Sequence, residues 1–527
     1  MQFLFKTFLK KQKKIIYSFI LLLFSISFNQ FYGYVGVFPL DSFIIFNSGY
    51  DLLNGYFPFK DYWTITGPML DIIQAFFFKL FGVSWSSYVL HASFFNFIIS
   101  FFTFYTLVKF KLNIHYSFFY SLLVSCLAYP IVGTPFMDHH SAILSIVSLF
   151  VFILAIQLKI NLYWFFLPII LGCAFLSKQT PAAYTIIIIT ILSLIYFFNN
   201  FNRKKIIFFF LGIFVFTLLF ILTLRLGEIS IISFIEQYIL FPQSMGKNRL
   251  DLLFPLEFKR IILRFKLIYI SIFIVIFVVI NKIYKNYRYL FGDEFIILIS
   301  LVGVSLSFIL HQLMTINAKF IFFIIPIMVG FSHIYYNKYF KQKKYFLYSF
   351  VIFSLVTTLY YQNSYNKNRR FMDLRNVNIE KAINAVVIDE KLKNLKWITV
   401  LYPDNPEKEI LNLKEAIKII NKDNKNKTIV TDYQFVSVIL SIYDYSPNRF
   451  WHKGVGYPIK GEKYFEVYKN FFVEKLKENK IEIVYTLKPL YFDKDVLDPI
   501  LNKNCFEKNK LTDILDSYLL LDCDDLN

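Results

Sequence analysis

Cysteine and charge are both scarce in this sequence. Four cysteines occur among 527 residues, and no two form a Cys-x-x-Cys pair, so a zinc or redox motif of that kind is excluded. Only 17% of the residues are charged, with 36 acidic against 56 basic side chains. The basic residues lie largely in short loops between apolar runs and not in a patch on a soluble domain, so we expect no nucleic-acid partner.

Apolar residues dominate instead, with 57% of the chain hydrophobic and 20% aromatic. They cluster in runs such as Ile206–Leu224, Leu267–Ile280 and Phe295–Leu310, which carry almost no charge. Runs of about 17–25 apolar residues cross a bilayer as helices, because a helix satisfies its own backbone polar groups. The sequence therefore predicts a mostly α, polytopic membrane protein. About eleven transmembrane helices are predicted, at 15–33, 84–106, 114–131, 139–157, 162–177, 181–198, 206–225, 262–280, 294–311, 319–336 and 345–361.

The distribution of basic residues predicts the orientation of these helices. No small-residue cleavage site follows the first apolar run, so we expect a retained helix rather than a signal peptide. With the N-terminus in the cytoplasm, every predicted cytoplasmic loop is basic, which agrees with the positive-inside rule. Residues 362–527 then lie outside. The loop cations are Lys109, Lys111, Lys159, Arg203, Lys204, Lys205, Lys282, Lys285, Arg288, Lys338, Lys341, Lys343 and Lys344.

Two domains are predicted, a transmembrane domain at 1–361 and a soluble extracytoplasmic domain at 362–527. The long first outer loop, 34–83, contains two stretches with apolar and polar residues at helical spacing, Ser42–Leu53 and Met69–Leu80, which we expect to lie in the membrane interface. In the second domain, short β-branched runs alternate with amphipathic stretches, which predicts a small α/β domain. The runs are Trp397–Leu401, Thr428–Thr431 and Ile481–Thr486, and the amphipathic stretches are Pro406–Ile420 and Tyr464–Asn479.

Cys505 and Cys523 both fall in the predicted outer domain, where disulfides persist. We predict that they pair, the alternative being two free thiols.

Polar residues at the predicted outer membrane face are the candidates for chemistry. Asp41 follows the first helix, either as an N-cap of the next helix or as a general base that activates a hydroxyl. Asp138 follows the short second outer loop, as a helix cap or as a second acid with His139 in a metal site. Adjacent helix residues point about 100° apart, so His139 and His140 are not expected to bind one metal together.

Two lysines at this face run against the positive-inside trend. Lys178 lies where two predicted helices meet, followed by Gln179, and Lys319 opens the tenth helix. His311 ends the ninth helix on the same face. Each lysine is interpreted either as a snorkelling side chain or as a ligand for an anionic lipid phosphate in the headgroup layer.

These features, in this order, resemble the GT-C superfamily of membrane glycosyltransferases, and within it the dolichyl-phosphate-mannose and aminoarabinose transferase-like group. The resemblance covers about residues 15–340. The family has a catalytic Asp after its first helix, and many relatives carry a second acid directly after it, where Ser42 stands here. The matching motifs are Gly55-Tyr56-Phe57-Pro58-Phe59-Lys60-Asp61, Pro68, Leu80-Phe81-Gly82, Asp138, Leu176-Ser177-Lys178-Gln179, and Lys319 followed by Pro326. The tail segment Tyr445-Ser446-Pro447-Asn448-Arg449 resembles the outer domain of some bacterial members.

The resemblance implies inverting transfer of a sugar from a polyprenyl-phosphate donor to a glycan, lipid or protein acceptor. It makes Asp41 the general base and implies that Lys178, Lys319 and Lys60 bind the donor phosphate. The aromatic loop with Asp61, Tyr62 and Trp63 would bind sugar. A divalent metal stays open, and the expected location is a bacterial inner membrane, with the C-terminal domain periplasmic or extracellular.

Three other functions remain open from the sequence. A polysaccharide polymerase or ligase shares the lipid donor and relies on arginines in outer loops, such as Arg249 and Arg260. A lipid-linked-sugar transporter or flippase would favour mid-membrane charges and internal repeats, of which the sequence offers few charges and no repeat. A scaffold without catalysis would use the outer domain to bind a partner.

Overall fold

The computed structural model of the protein describes residues 2–251, 254, 257–315, 321–340, 344–488, 490 and 496–521. The described helices up to residue 226 are α1 (Gln2–Gly33), α2 (Pro39–Ser42), α3 (Ile44–Leu53), α4 (Pro68–Phe81), α5 (Trp85–Lys109), α6 (Ile114–Leu127), α7 (Met137–Leu158), α8 (Asn161–Ser177), α9 (Gln179–Asn199) and α10 (Arg203–Leu226). The described helices after it are α11 (Ile231–Phe234), α12 (Phe241–Ser244), α13 (Gly246–Asp251), α14 (Lys266–Lys285), α15 (Asp293–Thr315), α16 (Ile324–Tyr339), α17 (Lys344–Tyr361), α18 (Pro406–Lys422), α19 (Phe435–Leu440) and α20 (Phe465–Glu478). The described strands are β1 (Ile383–Asn384), β2 (Lys396–Trp397), β3 (Lys427–Thr431), β4 (Ile483–Leu487), β5 (Phe506–Lys510) and β6 (Leu515–Leu520).

All eleven segments predicted to cross the membrane coincide with helices, namely α1, α5 to α10 and α14 to α17. Among the described helices, α1, α5, α7, α9, α10, α14 and α15 are long and apolar enough to span a bilayer, judged by length and composition. The protein is therefore a mostly α, polytopic membrane protein. The full count of eleven crossings and their orientation stay predictions.

The chain divides into two compact units, each built from three stretches. The first unit comprises residues 1–33, 92–220 and 249–371, and the second comprises 34–91, 221–248 and 372–527. The sequence predicts a single boundary near residue 361. In the structure the first outer loop belongs to the same compact unit as the C-terminal region, because side chains of this loop pack with residues that follow 430.

Helix α7 is the central helix of the first unit. Of its most apolar window, 89% is buried, compared with 6% for α10, so α10 lies at the periphery. Gly212 of α10 explains how this peripheral helix packs against α8. A Cβ atom at this position would lie 2.1 Å from the backbone oxygen of Phe165, so the two helices approach more closely than any larger residue permits.

The second unit contains a pair of packed helices, α3 and α4, in the two stretches where the sequence predicts interfacial helices. Gly49 allows their close packing, because a Cβ there would lie 2.5 Å from the Cγ of Gln74. The Ser48 hydroxyl donates a hydrogen bond across the same contact to Asp71 at 2.6 Å. The helices thus join through a buried polar pair as well as through apolar packing.

A four-stranded sheet with the order β3-β4-β6-β5 completes the second unit. The β3 and β4 strands are parallel, and α20 lies between them in the chain, while the other two pairings are antiparallel. Helix α18 begins at Pro406, capped by the Asn405 side chain, and buries Ile410, Leu413 and Ile420 on one face. The strands predicted near 428–431 and 481–486 and the helices predicted near 406–420 and 464–479 are therefore present, whereas the run at 397–401 forms only the short strand β2.

Candidate functional site

Asp138, Lys178 and His311 meet in the first unit. The Lys178 Nζ atom donates to Asp138 Oδ2 at 2.7 Å, and His311 Nε2 lies 3.2 Å from Asp138 Oδ1. The cluster is largely shielded from solvent, since the side chains of Asp138, Lys178 and His311 are 9%, 18% and 3% exposed. The carboxylate of Asp138 thus has one partner on each of its oxygens.

Three helix ends create this cluster. Asp138 lies in the first turn of α7, where a negative charge is favourable beside the free backbone N–H groups. Lys178 is an extended residue between α8 and α9, and its carbonyl accepts a hydrogen bond from Ser141 at 3.1 Å. His311 belongs to the last part of α15. These are the ends that the sequence predicts at the outer membrane face, so their meeting agrees with the predicted orientation of the helices.

Further basic groups lie close to the cluster. The Arg260 guanidinium donates to the carbonyl of Leu313 at 2.8 Å, two residues beyond His311 on the same helix. The Arg249 guanidinium lies within electrostatic range of the His311 ring. The Asp138 carboxylate is thus paired with Lys178 and His311, while two guanidinium groups lie near the end of α15 that carries His311. The local charge is positive, which suits an anionic ligand.

The sequence leaves a metal site open at this position. Among the residues that the structure describes, no group of three or more His, Cys, Asp or Glu side chains could hold a metal ion. His139 is fully buried with its ring centroid 5.4 Å from that of Tyr129. His140 hydrogen-bonds the hydroxyl of the same tyrosine. Gln179 opens α9 next to Lys178 and is half-buried. Lys319 lies outside the described residues.

Asp41 is a half-buried residue in the first turn of α2, in the second unit. The residue at the N-cap of α3 is Phe43, which makes no side-chain capping bond. The neighbouring Ser42 hydroxyl accepts a hydrogen bond from the Phe38 N–H at 2.9 Å. Asp41 is therefore not the N-cap residue of α3, and its general-base role stays a prediction.

The motif at 55–61 forms a tight turn in the second unit. Asp61 Oδ2 accepts a hydrogen bond from the Phe57 N–H at 2.7 Å, so this carboxylate holds the turn. Phe59 adopts a left-handed backbone with φ of 68°. Lys60 points to the surface and pairs with Glu228 at 2.8 Å, and this bond raises the pKa of the lysine.

Tyr62 and Trp63, which the sequence assigns to sugar binding, are 0% and 1% exposed. The backbone N–H of Trp63 donates to the Pro447 carbonyl at 2.8 Å, and the indole ring lies 5.2 Å from the Tyr468 ring. Both aromatic residues therefore serve packing in this structure, which connects the first outer loop to the C-terminal region within the second unit. Stacking of a sugar on either ring stays a prediction.

A buried charged cluster of the second unit was missed by the sequence analysis. Arg449 Nε donates to Asp51 Oδ2 at 2.7 Å, and its Nη2 atom lies 3.2 Å from Asp444 Oδ1. The guanidinium also lies over the Tyr62 ring, 4.8 Å from its centroid. One cation is shared by two carboxylates, all of them at most 4% exposed. Burial, reinforced by the charge of Asp444, raises the pKa of Asp51 despite Arg449.

Asp71 is a second buried acid of this unit. Its Oδ1 atom accepts from the Ser48 hydroxyl at 2.6 Å, and the side chain is fully buried. Burial raises the pKa of Asp71 to about 7. The signal that could have revealed both acids is the presence of Asp51 and Asp71 within otherwise apolar helical stretches, because an acid in such a position is costly unless it has a partner.

Cys505 is disulfide-bonded, while Cys126 and Cys173 are free. Its predicted partner, Cys523, lies outside the described residues.

Comparisons of the chain with known protein families and with curated proteins find no match. The resemblance to GT-C enzymes therefore rests on the motifs and their order alone.

Proposed function

We propose that the protein is a membrane glycosyltransferase that moves a sugar from a polyprenyl-phosphate donor to an acceptor in the cell envelope. The observation that supports this most is the cluster of Asp138, Lys178 and His311 at the ends of α7, α8 and α15. A shielded lysine at the ends of apolar helices, with two arginines near the histidine of the same cluster, suits a phosphate that arrives attached to a lipid. The GT-C resemblance assigns the same lysine to the donor phosphate.

In the proposed reaction, Asp41 removes the proton from the acceptor hydroxyl. The hydroxyl oxygen attacks the anomeric carbon, a new C–O bond forms, and the bond from that carbon to the phosphate oxygen breaks. The polyprenyl phosphate leaves with the bonding electrons, and cations such as Lys178 stabilise its added negative charge. A single displacement of this kind inverts the anomeric configuration.

Arg249 and Arg260 favour a second candidate with the same donor class, a polysaccharide polymerase or ligase. Both lie near His311 in the first unit, where they add positive charge for a diphosphate as well as for a monophosphate leaving group. The two candidates differ in the length of the transferred glycan, which mass analysis of the product distinguishes.

The decisive test compares envelope glycans in membranes that carry the native chain or Asp41→Asn. The variant keeps the size and hydrogen-bonding shape of the side chain but loses the base, so we expect transfer to fall by about 10²–10⁴-fold at a normal protein level. The matched control is Asp513→Asn, because the Asp513 side chain is 90% exposed. This variant should transfer sugar at the native rate. Unchanged transfer by Asp41→Asn would reject Asp41 as the base and favour a transporter or a scaffold.

A further inference from the structure

A second charged region of the first unit surrounds a cavity of about 550 Å³. This volume lies within the range of sites that hold small ligands. Its lining comes from the turn after α5 and from the ends of three helices, α7, α15 and α16, and it mixes charged with apolar side chains. The charged lining residues are Lys111, Lys159, Asp293, Glu294 and Lys338.

The cavity and the Asp138 cluster occupy opposite ends of the same helices. On α7, Asp138 lies in the first turn, while Gln157 of the last turn lines the cavity. Nineteen residues of helix separate them, or about 28 Å at 1.5 Å per residue, close to the thickness of a bilayer core. Because α7 and α15 are both apolar enough to span a membrane, we expect the cavity at the level of the lipid headgroups on the face opposite the cluster. The positive-inside pattern assigns that face to the cytoplasm.

The two acids of the lining already have partners. Glu294 pairs with Lys338 and accepts from the Tyr339 hydroxyl, and Asp293 accepts from Asn200 at 2.9 Å. In contrast, Lys111 and Lys159 are exposed and make no ion pair with any residue that the structure describes. Three lysines against two acids leave the lining of the cavity with a net charge of +1.

Both of these lysines lie just after the end of a helix. Lys111 and Lys159 adopt left-handed conformations, with φ of 66° and 57°. Glycine and asparagine favour this conformation, whereas a lysine there is strained. A general preference for cations at helix ends explains a positive charge nearby, but it does not require the lysine to occupy the strained position itself. Both lysines therefore occupy the left-handed turn that follows a helix, α5 and α7 respectively, and both line the same cavity.

We propose that this cavity binds the phosphate of an anionic lipid headgroup, with Lys111 and Lys159 as its ligands. The ammonium group of lysine binds phosphate as a point charge, and anionic lipids of the cytoplasmic leaflet attract basic residues at the membrane surface. Apolar lining residues such as Leu112, Ile156 and Ile297 would contact the glycerol and the first acyl carbons. The inference does not depend on the glycosyltransferase proposal.

The test uses the purified full-length chain in nanodiscs made from equal parts of phosphatidylglycerol and phosphatidylcholine. Native mass spectrometry then measures which lipid remains bound after release. We expect the native chain to retain phosphatidylglycerol preferentially. The double variant Lys111→Asn/Lys159→Asn should lose on the order of 30-fold of that preference, because each lysine near the membrane surface contributes about fivefold to the binding of an anionic lipid. Asparagine tolerates the left-handed backbone, so the variant should fold.

Lys285→Asn/Lys344→Asn is the matched control, because both lysines are exposed at the same predicted face and neither lines the cavity. It should keep the native preference. An equal preference in the native chain and the cavity variant would overturn the proposal.

A separate experiment titrates inorganic phosphate into lipid-depleted protein in detergent. If thermal stability rises with free phosphate as strongly as with phosphatidylglycerol, the ligand is a soluble phosphate and the lipid assignment fails.

Discussion

Two variants can separate the contribution of the Lys178–Asp138 ion pair to stability from its contribution to sugar transfer. Replacing Lys178 by methionine leaves the Asp138 carboxylate with His311 alone in a site where its side chain is 9% exposed. Removing one partner of a buried pair typically costs about 3–5 kcal/mol, because the other charge is left without compensation. We expect Lys178→Met to lose about 3 kcal/mol of stability, at the lower end because His311 remains.

The double variant Asp138→Asn/Lys178→Met also removes the carboxylate charge that Lys178→Met leaves without its lysine partner. Its stability should return to within about 1 kcal/mol of the native chain, since a neutral replacement of a buried pair is often tolerated. Sugar transfer should stay lost in the double variant, because the donor phosphate has lost its cation. Recovery of stability without recovery of transfer therefore indicates that the Lys178–Asp138 pair acts in the reaction as well as in folding.

Unfolding can be followed in the detergent-solubilised full chain with a thiol-reactive dye. Cys126 and Cys173 are free and both belong to the first unit, so their exposure reports on the unit that contains the ion pair. A chain with serine at both positions gives the background signal. Two results would refute the reasoning: a double variant as unstable as Lys178→Met, or a double variant that recovers transfer together with stability.

Two further predictions concern the second unit. The pKa of Asp71 near 7 exceeds the ordinary value of about 3.9, so the folded chain retains a proton that the unfolded chain releases. Stability from this group is greatest below about pH 4 and declines by about 4 kcal/mol as the pH rises through 7, and Asp71→Asn should remove this decline in denaturant titrations at several pH values. A variant with the native pH dependence would argue against a neutral buried carboxyl. In Gly49→Ala, the new Cβ would clash with Gln74, so α3 and α4 should separate at a cost of about 1–3 kcal/mol in the same assay. Gly246→Ala, with no atom within 4 Å of its added Cβ, is the control and should be neutral, and equal stability of the two variants would refute the packing argument.

The sequence predicts the helices well because the signal for each is local. An apolar run such as Leu267–Ile280 must form a helix in a bilayer whatever surrounds it, and the structure has α14 there. The pairing of Asp138 with Lys178 could be anticipated only in part. The predicted orientation brings their helix ends to one face, but the contact between the two side chains depends on how α7, α8 and α9 pack.

The second unit shows what local patterns do not contain. Tyr62 and Trp63 lie in an aromatic loop that the sequence predicts to be exposed. In the structure both side chains are buried by residues from the distant C-terminal region. Asp51 and Arg449 are 398 positions apart, and no local pattern connects them. An exposed loop and a packed one have the same composition when the packing partner comes from elsewhere in the chain.

That separation also sets an order of events during synthesis. At roughly 5–20 residues per second, a ribosome needs on the order of 20–80 s to travel from Asp51 to Arg449. Throughout this interval the carboxylate lacks the guanidinium that it pairs with in the finished protein. The first outer loop therefore remains without its C-terminal packing partner, either hydrated or bound by an assembly factor, until the last predicted transmembrane helix has been synthesised. Its final packing belongs to the latest stage of maturation, although its residues are among the first to leave the ribosome.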